Sequence, residues 1–577
     1  MVRLRYFIVT FLLMGQLCYS SLSEEFTLKI KDVKQTMEEM LSYHVENKVM
    51  TPLLIKRSLK IFIEQFDPDK IYFLKDEIDV FLKFSDEEIH SFIRDYNEDN
   101  LSVFLQLNHL IQRAILRSRE IKTIQKEILL KEGDAALTET YPSNYQTYAQ
   151  DEEALRQRIY HSLVQAVKSQ VSRSQIKEIS SEVISRIIDF QNKKVSLFEK
   201  TYLSEDESSH NLTLHILKAM AKSLDAHTGY YSPKEAFEIR KNLKKQFCGI
   251  GIAVREDFDG IFISDLLIGG PAKKNGLIET GDKLLKVNYQ EVESLSFEQI
   301  LDMLKGNAGS KVTLEVKKSA FPNDTIQVEL ARENIILNEE RLAFTFEPHA
   351  NGIIGKIILP AFYDGGDQVN AEKDLREALK ALKREGNLVG LVIDMRENSG
   401  GFLTQAVKVA GVFVNGGLIV VSKYSDGEMR YARDIDGRDY YNGPLVLLTS
   451  KASASAAEIV AQALQDYGVA LVVGDERTYG KGSMQFQTLT NEKAKTFFKV
   501  TVGRYYTISG RSPQVDGVKA DIHVPTSYFS YNIGEKYLEF PLSNDQLDGK
   551  VFHSLKDIKG GSYLDISQFE IPYLKPR

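Results

Sequence analysis

The sequence predicts a multidomain α+β architecture: a mainly helical N-terminal domain, a small glycine-rich β module and a C-terminal α/β domain. Three observations carry that expectation. At 577 residues the chain is too long for one hydrophobic core, and about two to four domains follow. From Glu24 to about Tyr202, Leu, Ile, Lys, Glu and Gln recur at helical spacing with few prolines. From Gly352 onward, short apolar runs alternate with helical segments, the pattern of helices packed on a sheet.

Composition and the N-terminus narrow the function classes. Hydrophobic residues make up 43% and charged residues 27%, ordinary for globular protein. The net charge of -7 comes from well-mixed acids and bases, so no basic field invites nucleic acid. Arg3 and Arg5 precede an apolar run over 6–13, and small or polar residues follow through Ser20 and Ser21. This is the three-part shape of a secretory signal peptide, with cleavage after Ser20. The run is shorter than the ~20 residues of a spanning helix, so no membrane span is expected in the mature chain. Gly15 stands where a lipobox has Leu, which argues against a lipidated Cys18. An exported protein follows, with the periplasm as the expected destination and secretion beyond the envelope as the alternative. Removing the signal leaves Cys248 alone, which excludes an intramolecular disulfide and predicts a buried, inert thiol.

In chain order, residues 1–20 are the signal and 21–238 the helical domain. Ile176, Ile179, Val183 and Ile187 form one apolar stripe there, and Asp67-Pro68-Asp69 and Tyr141-Pro142-Ser143 punctuate helices. The domain shows no cluster of His, Cys or paired acids, so support, assembly or substrate enclosure is its expected role. Residues 239–335 form the β module, with one helix over 296–304 that Ser296 can cap. Its apolar face is Phe297, Ile300, Leu301 and Leu304. Residues 336–545 form the α/β domain, with strands at 353–359, 388–394, 445–449 and 470–474 and helices at 369–385, 402–413 and 456–466. Residues 546–577 are a tail.

Such folds collect active groups where strands end and loops enter helices. Ser455 falls at the start of helix 456–466, where free N–H groups and the helix dipole favour the oxyanion that serine attack creates. The ordinary alternative is a plain N-cap. The turn 394–401 (DMRENSGG) offers glycine amides as a second donor, or is simply a strand-to-helix turn. Lys481, between Gly480 and Gly482, acts as a base only if burial lowers its pKa; an exposed lysine would not. Gln485, four residues on, could hold its amine. The stretch 474–483 fails as a phosphate loop, because five residues separate Gly474 from Gly480 and Gly482 follows Lys481 where Ser or Thr belongs. A Ser-His-Asp triad using His227 stays as the rival to a Ser–Lys pair. No histidine lies between His349 and His523, and Asp466 sits too far along the helix to orient one beside Ser455. No His and acid cluster has ligand spacing, so no metal and no cofactor are expected.

DMRENSGG, SASAAEIVAQALQDYG (453–468) and GDERTYGKGSMQ (474–485), in that order, resemble the C-terminal processing peptidases, specifically the tail-specific protease branch. FDPDKIYFL (66–74), SLDAHTGYYSP (223–233) and LPAFYDGG (359–366) extend the resemblance over about residues 30–545. It implies a Ser–Lys protease domain, a serine endopeptidase working through an acyl-enzyme. By the same resemblance Ser455 is the nucleophile, Lys481 the general base and Gln485 the residue orienting it. Gly400 and the Ala456 amide match the oxyanion hole, with the donating glycine of the turn left open, and Asp466 matches a structural acid. Ala457 and Ser399 depart from the family strings, 517–521 lacks the usual proline, and the loop 474–481 is one residue longer; none removes a catalytic group.

Residues 247–252 and GGPAKKNGLIETGDKLLKVN (269–288) resemble a PDZ domain. Amides of Gly249, Ile250, Gly251 and Ile252 would hold a terminal carboxylate, with the peptide adding as a strand. The implied partners are protein or peptide substrates with apolar C-termini, and a homo-oligomer is compatible with the resemblance. The competing class is a non-catalytic PDZ peptide-binding scaffold derived from such a protease. The joint presence of Ser455, Lys481 and Gln485 disfavours it.

Overall fold

The computed structural model describes residues 27–547, except 143–144, 175, 177, 204, 322, 415, 436, 439, 492–493 and 495, and except the side chains of 174 and 205–209. The expected signal peptide, with Cys18, and the tail from 548 lie outside the described residues. Among the described residues no helix is long and apolar enough to cross a membrane.

The N-terminal lobe is helical because its apolar stripes are bounded by good caps. Thr51 accepts the Leu54 N–H at 3.3 Å ahead of helix Pro52–Phe66, whose proline occupies a position needing no N–H partner. Ser85 and Ser232 close reciprocal boxes with Glu88 and Glu235, each worth about 1 kcal/mol. Asp67, in the predicted turn, accepts N–H groups from Ile71, Tyr72 and Phe73 and so reverses the chain. The predicted stripe near 180 is divided. Ser180 Oγ accepts the Val183 N–H and starts helix Ser181–Leu203 there, so Ile176 and Ile179 precede the helix while still packing on the same apolar cluster.

This lobe is not a separate body. Strand Gly229–Tyr231 leaves it to pair antiparallel with Phe497–Tyr506, far down the chain. Phe498 and Val500 of that strand are fully buried in the helical core beside Met37, Phe62 and Met220. The completed five-stranded sheet also takes in Gly417–Tyr424, Met429–Asp434 and Ser483–Gln487. Burial of those apolar faces, about 25 cal/mol per Å2, binds the helical lobe and strand Phe497–Tyr506 into one core.

The β module has its own six-stranded sheet and core. Its helix Phe297–Leu304 starts as expected, Ser296 accepting the Gln299 N–H at 3.1 Å. Strand Ile252–Asp257 pairs only with Gly260–Leu266 and is an open edge. Linker helix Pro233–Lys244 is tied to the module by Lys234–Glu298 at 2.5 Å and Lys305–Glu238 at 2.9 Å. Cys248, expected buried, is only half-buried on strand Gln246–Gly249, where a backbone pairing rather than a core holds it; burial still pushes its thiol up.

The α/β domain is built on a six-stranded sheet in the order Ala343–His349, Gly352–Ile358, Leu388–Asp394, Leu445–Thr449, Ala470–Gly474, Ile522–His523. All pairs but the first are parallel. Helices Ala371–Glu385, Leu403–Gly411 and Ala456–Asp466 pack on it, within two residues of the predicted bounds. Asn370 caps the first by accepting the Lys373 N–H, which is why that helix starts after Val369.

Candidate active site

The segments following three adjacent parallel strands converge at their carboxyl ends. Leu388–Asp394 leads into the glycine turn, Leu445–Thr449 into Ser455, and Ala470–Gly474 into Lys481. A cleft of about 620 Å3 opens there, lined by Ser455, Ala456, Lys481, Gln485, Gly401 and Phe402 among others. Ile239 and Leu243 of the linker helix close another side.

Ser455 has φ +55° and ψ -114°, a conformation that costs a residue with a Cβ. Its hydroxyl makes no capping bond. The helix is capped from the other direction: Glu458 Oε2 accepts the Ser455 N–H at 2.8 Å, and the Glu458 N–H goes to the Ser455 carbonyl, also at 2.8 Å. The ordinary N-cap alternative therefore does not describe Ser455, whose Oγ is left facing the cleft.

Lys481 Nζ donates to Gln485 Oε1 at 2.8 Å. Gln485 is oriented in turn by Ser483 Oγ at 3.0 Å and Thr501 Oγ1 at 3.4 Å. Burial lowers the Lys481 pKa to about 8, with the like charge of Lys499 adding to it and Glu535, Glu458 and Asp225 opposing. Glu458 is fully buried, yet accepts from Thr478 Oγ1 and from the N–H groups of Ser455, Gly480 and Lys481. Burial outweighs those bonds and pushes its carboxyl up to about 7. The Tyr505 hydroxyl hydrogen-bonds the Lys481 carbonyl and lies 3.1 Å from that of Ser455, fixing the two backbones together.

The two expected oxyanion donors differ. Ala456 lines the cleft, and among the described residues its N–H has no acceptor. Gly400 does not line the cleft, and its N–H donates to Asn398 Oδ1 at 2.8 Å. It lies instead behind Ser455: a Cβ built on Gly400 would fall 2.9 Å from that of Ser455. Gly401 is the glycine of this turn that faces the cleft, again with no acceptor for its N–H. Asn398 explains the choice, since it also donates to the Leu359 carbonyl at 2.9 Å and so holds Gly400 against the sheet.

His227 does not join this group. Its Nε2 lies 2.7 Å from Glu535 Oε2, and it lines a neighbouring cleft that does not include Ser455. The rival triad is not assembled. Asp466 accepts from Thr507 Oγ1 at 2.8 Å and from the Ser509 N–H at 3.2 Å, holding the loop after strand Phe497–Tyr506. Around the carboxylate loop, Ile250 and Gly251 accept N–H groups from Ala272 and Leu267, which pins its shape beside the open strand edge.

Residues 353–524 match the family model described as Peptidase family S41. Residues 36–234 match the Tail specific protease N-terminal domain and residues 237–317 the PDZ domain. The carboxy-terminal-processing protease of Bartonella bacilliformis is 30% identical over 345 residues, covering 58% of this chain and 76% of that protein. The chain belongs to the S41 peptidase family. The tail-specific protease of Haemophilus influenzae is 29% identical over 360 residues, which is 60% of this chain and 50% of that relative, so the chain spans about half its length. Among solved structures, the photosystem II D1 C-terminal processing protease shares 27% identity over 57% of this chain and 86% of that one, with a TM-score of 0.32. The S41 domain here stands with a helical tail-specific-protease domain and a PDZ domain.

Asp225 and Glu535, beside the S41 site, escape sequence reasoning. Asp225 lies with His227 in SLDAHTGYYSP, and Glu535 in GEKYLEFPLSNDQL. Asp225 accepts from Thr228 Oγ1, Thr501 Oγ1 and the His227 N–H, and pairs with His44 at 2.8 Å. His227 and Thr228 are near neighbours in the chain, but His44 and Thr501 come from two distant stretches that no spacing announces.

Proposed function

We propose that the chain is an exported serine endopeptidase of the C-terminal processing type, which captures apolar C-terminal tails through its PDZ domain and cleaves by a Ser–Lys mechanism. The observation that carries this reading is the shared cleft in which Ser455 sits half-buried on a strained turn and Lys481, half-buried and lowered to about 8 by desolvation, is held by Gln485. The neutral Lys481 amine takes the Ser455 proton as Oγ attacks the peptide carbonyl. The N–H groups of Ala456 and Gly401 stabilise the oxyanion, and Lys481 returns the proton to the leaving amine. Water then attacks the acyl-serine with Lys481 again as base.

Proteolysis of an unstructured protein with an apolar C-terminus, comparing wild type with Ser455→Ala and Lys481→Ala, tests the reading. Cleavage by wild type alone supports it. Equal cleavage by Ser455→Ala overturns the nucleophile, and inert wild type returns the non-catalytic PDZ scaffold. Export is tested by mass measurement of the mature N-terminus from envelope fractions, where cleavage after Ser20 is expected.

A further inference from the structure

Strand Phe497–Tyr506 separates two environments. Phe498 and Val500 point into the helical core. The alternate residues Lys499 and Thr501 fall on the other face, that of Gln485. Lys499 pairs with Gln487 on one side and Gly229 on the other, and Thr501 pairs with Gln485. Lys499 thus shares the sheet face of Gln485, which holds the Lys481 amine. It lines the cleft of Ser455 and Lys481, and also the neighbouring cleft that contains His227.

Among the described residues no carboxylate lies within salt-bridge distance of Lys499 Nζ; the Tyr231 ring is 6.0 Å away, and Asp225 and the like charge of Lys222 interact with it electrostatically. A lysine in such a place is uncommon, because desolvation without a partner is unfavourable. A structural strand needs only a short apolar or Thr side chain there.

We propose that Lys499 is a positioning residue for the base: its ammonium, without a salt-bridge partner in the same cleft, raises the fraction of Lys481 whose amine is neutral and ready to accept the Ser455 proton. The inference rests on the Ser–Lys reading and adds to it. Two ammonium groups in one low-dielectric cleft cannot both keep their protons cheaply, so the one that loses its proton first becomes the base. The surroundings decide which. Burial lowers the Lys499 pKa as well, and Asp225, held well below the usual carboxylate range chiefly by His44 and Thr228 against the effect of burial, opposes that and favours its charged form. Lys481 faces Glu458 from its own helix-capping network, Glu535, Asp225 and His227. Burial lowers His227 and leaves it neutral near pH 7, while the buried Glu458 titrates near pH 7. The charge of Lys499 is the strongest of those acting on Lys481 after burial itself.

The test follows Lys481 directly. Trace acetylation of the Ser455→Ala protein with isotopic acetic anhydride, read by peptide mass mapping across pH, reports the fraction of neutral Lys481 without any turnover. In Lys499→Met the midpoint should rise by about one pH unit, and in Lys499→Arg it should stay where it is. The kcat/KM profile of the active protein should shift its acid limb by the same amount. An unmoved Lys481 midpoint in folded Lys499→Met overturns the proposal, and Lys499→Gln repeats the test should the Met variant unfold. If the midpoint moves but the active-site serine chain cleaves nothing, the electrostatic role stands and the peptidase reading falls.

Discussion

Glu458 Oε2 accepts the backbone N–H of Ser455 at 2.8 Å, and the same oxygen accepts the N–H of Lys481, also at 2.8 Å. One buried carboxylate thus sets the distance between the backbones of Ser455 and Lys481. Its other oxygen takes Thr478 Oγ1 at 2.6 Å and the Gly480 N–H at 2.7 Å, so every direction is met by a donor. In Glu458→Gln an amide NH2 must face N–H groups. The expected cost is about 2–4 kcal/mol in urea unfolding, with a fall in kcat beyond what the loss of folded protein explains. A variant as stable and active as wild type would show that the network does not set the site.

Ser455 stores strain at φ +55°. Ser455→Gly relieves it, and the thermal midpoint should rise by an amount equivalent to about 1 kcal/mol while cleavage is lost. Ser455→Ala keeps the strain, loses cleavage, and should melt within about 0.5 kcal/mol of wild type. A Gly variant less stable than the Ala variant would mean that the turn is not strained.

Lys481 sets the pH dependence. Catalysis needs its neutral amine, so with the pKa near 8 about one-tenth of the molecules are competent at pH 7. The kcat/KM should rise about tenfold per unit below pH 8 and level off above it. Its folded pKa lies below the ordinary 10.5, so between about 8 and 10.5 the unfolded chain holds the extra proton and this group's contribution makes stability rise with pH. A flat profile between pH 6 and 8 would exclude Lys481 as the base.

Gln485 holds Nζ at 2.8 Å without changing its charge. Gln485→Leu should lower kcat/KM by about 10- to 100-fold by freeing the amine to misorient, while the binding of tail peptides is untouched. Unchanged kcat/KM would assign the orientation of Lys481 to packing alone.

What the chain discloses locally and what it hides separate cleanly here. Strands 388–394, 445–449 and 470–474 and helix 456–466 match their predicted bounds, because apolar periodicity and turn residues are local signals. Ser455, Lys481 and Gln485 stand out by their motif strings. That Gly401 rather than Gly400 faces the cleft turns on the Gly400 N–H donating to Asn398 Oδ1, which spacing cannot reveal. The joint core of the helical lobe and strand Phe497–Tyr506 is hidden for the same reason: Tyr230 and Phe498 pair across nearly half of the chain. With that pairing hidden, Lys499 reads as an ordinary strand lysine.

The PDZ domain presents strand Ile252–Asp257 as an open edge, with Ile252, Val254, Ile300 and Leu304 in one apolar cluster under the groove. A peptide entering there adds main-chain bonds along the edge and needs its end charge met by the amides of residues 249–252. Peptides of identical sequence with free and amidated C-termini should therefore differ at least about tenfold in affinity for the Ser455→Ala protein, which binds without cutting. Equal affinities would show that the groove reads side chains and not the terminus, and tail capture would have to lie in the 620 Å3 catalytic cleft instead.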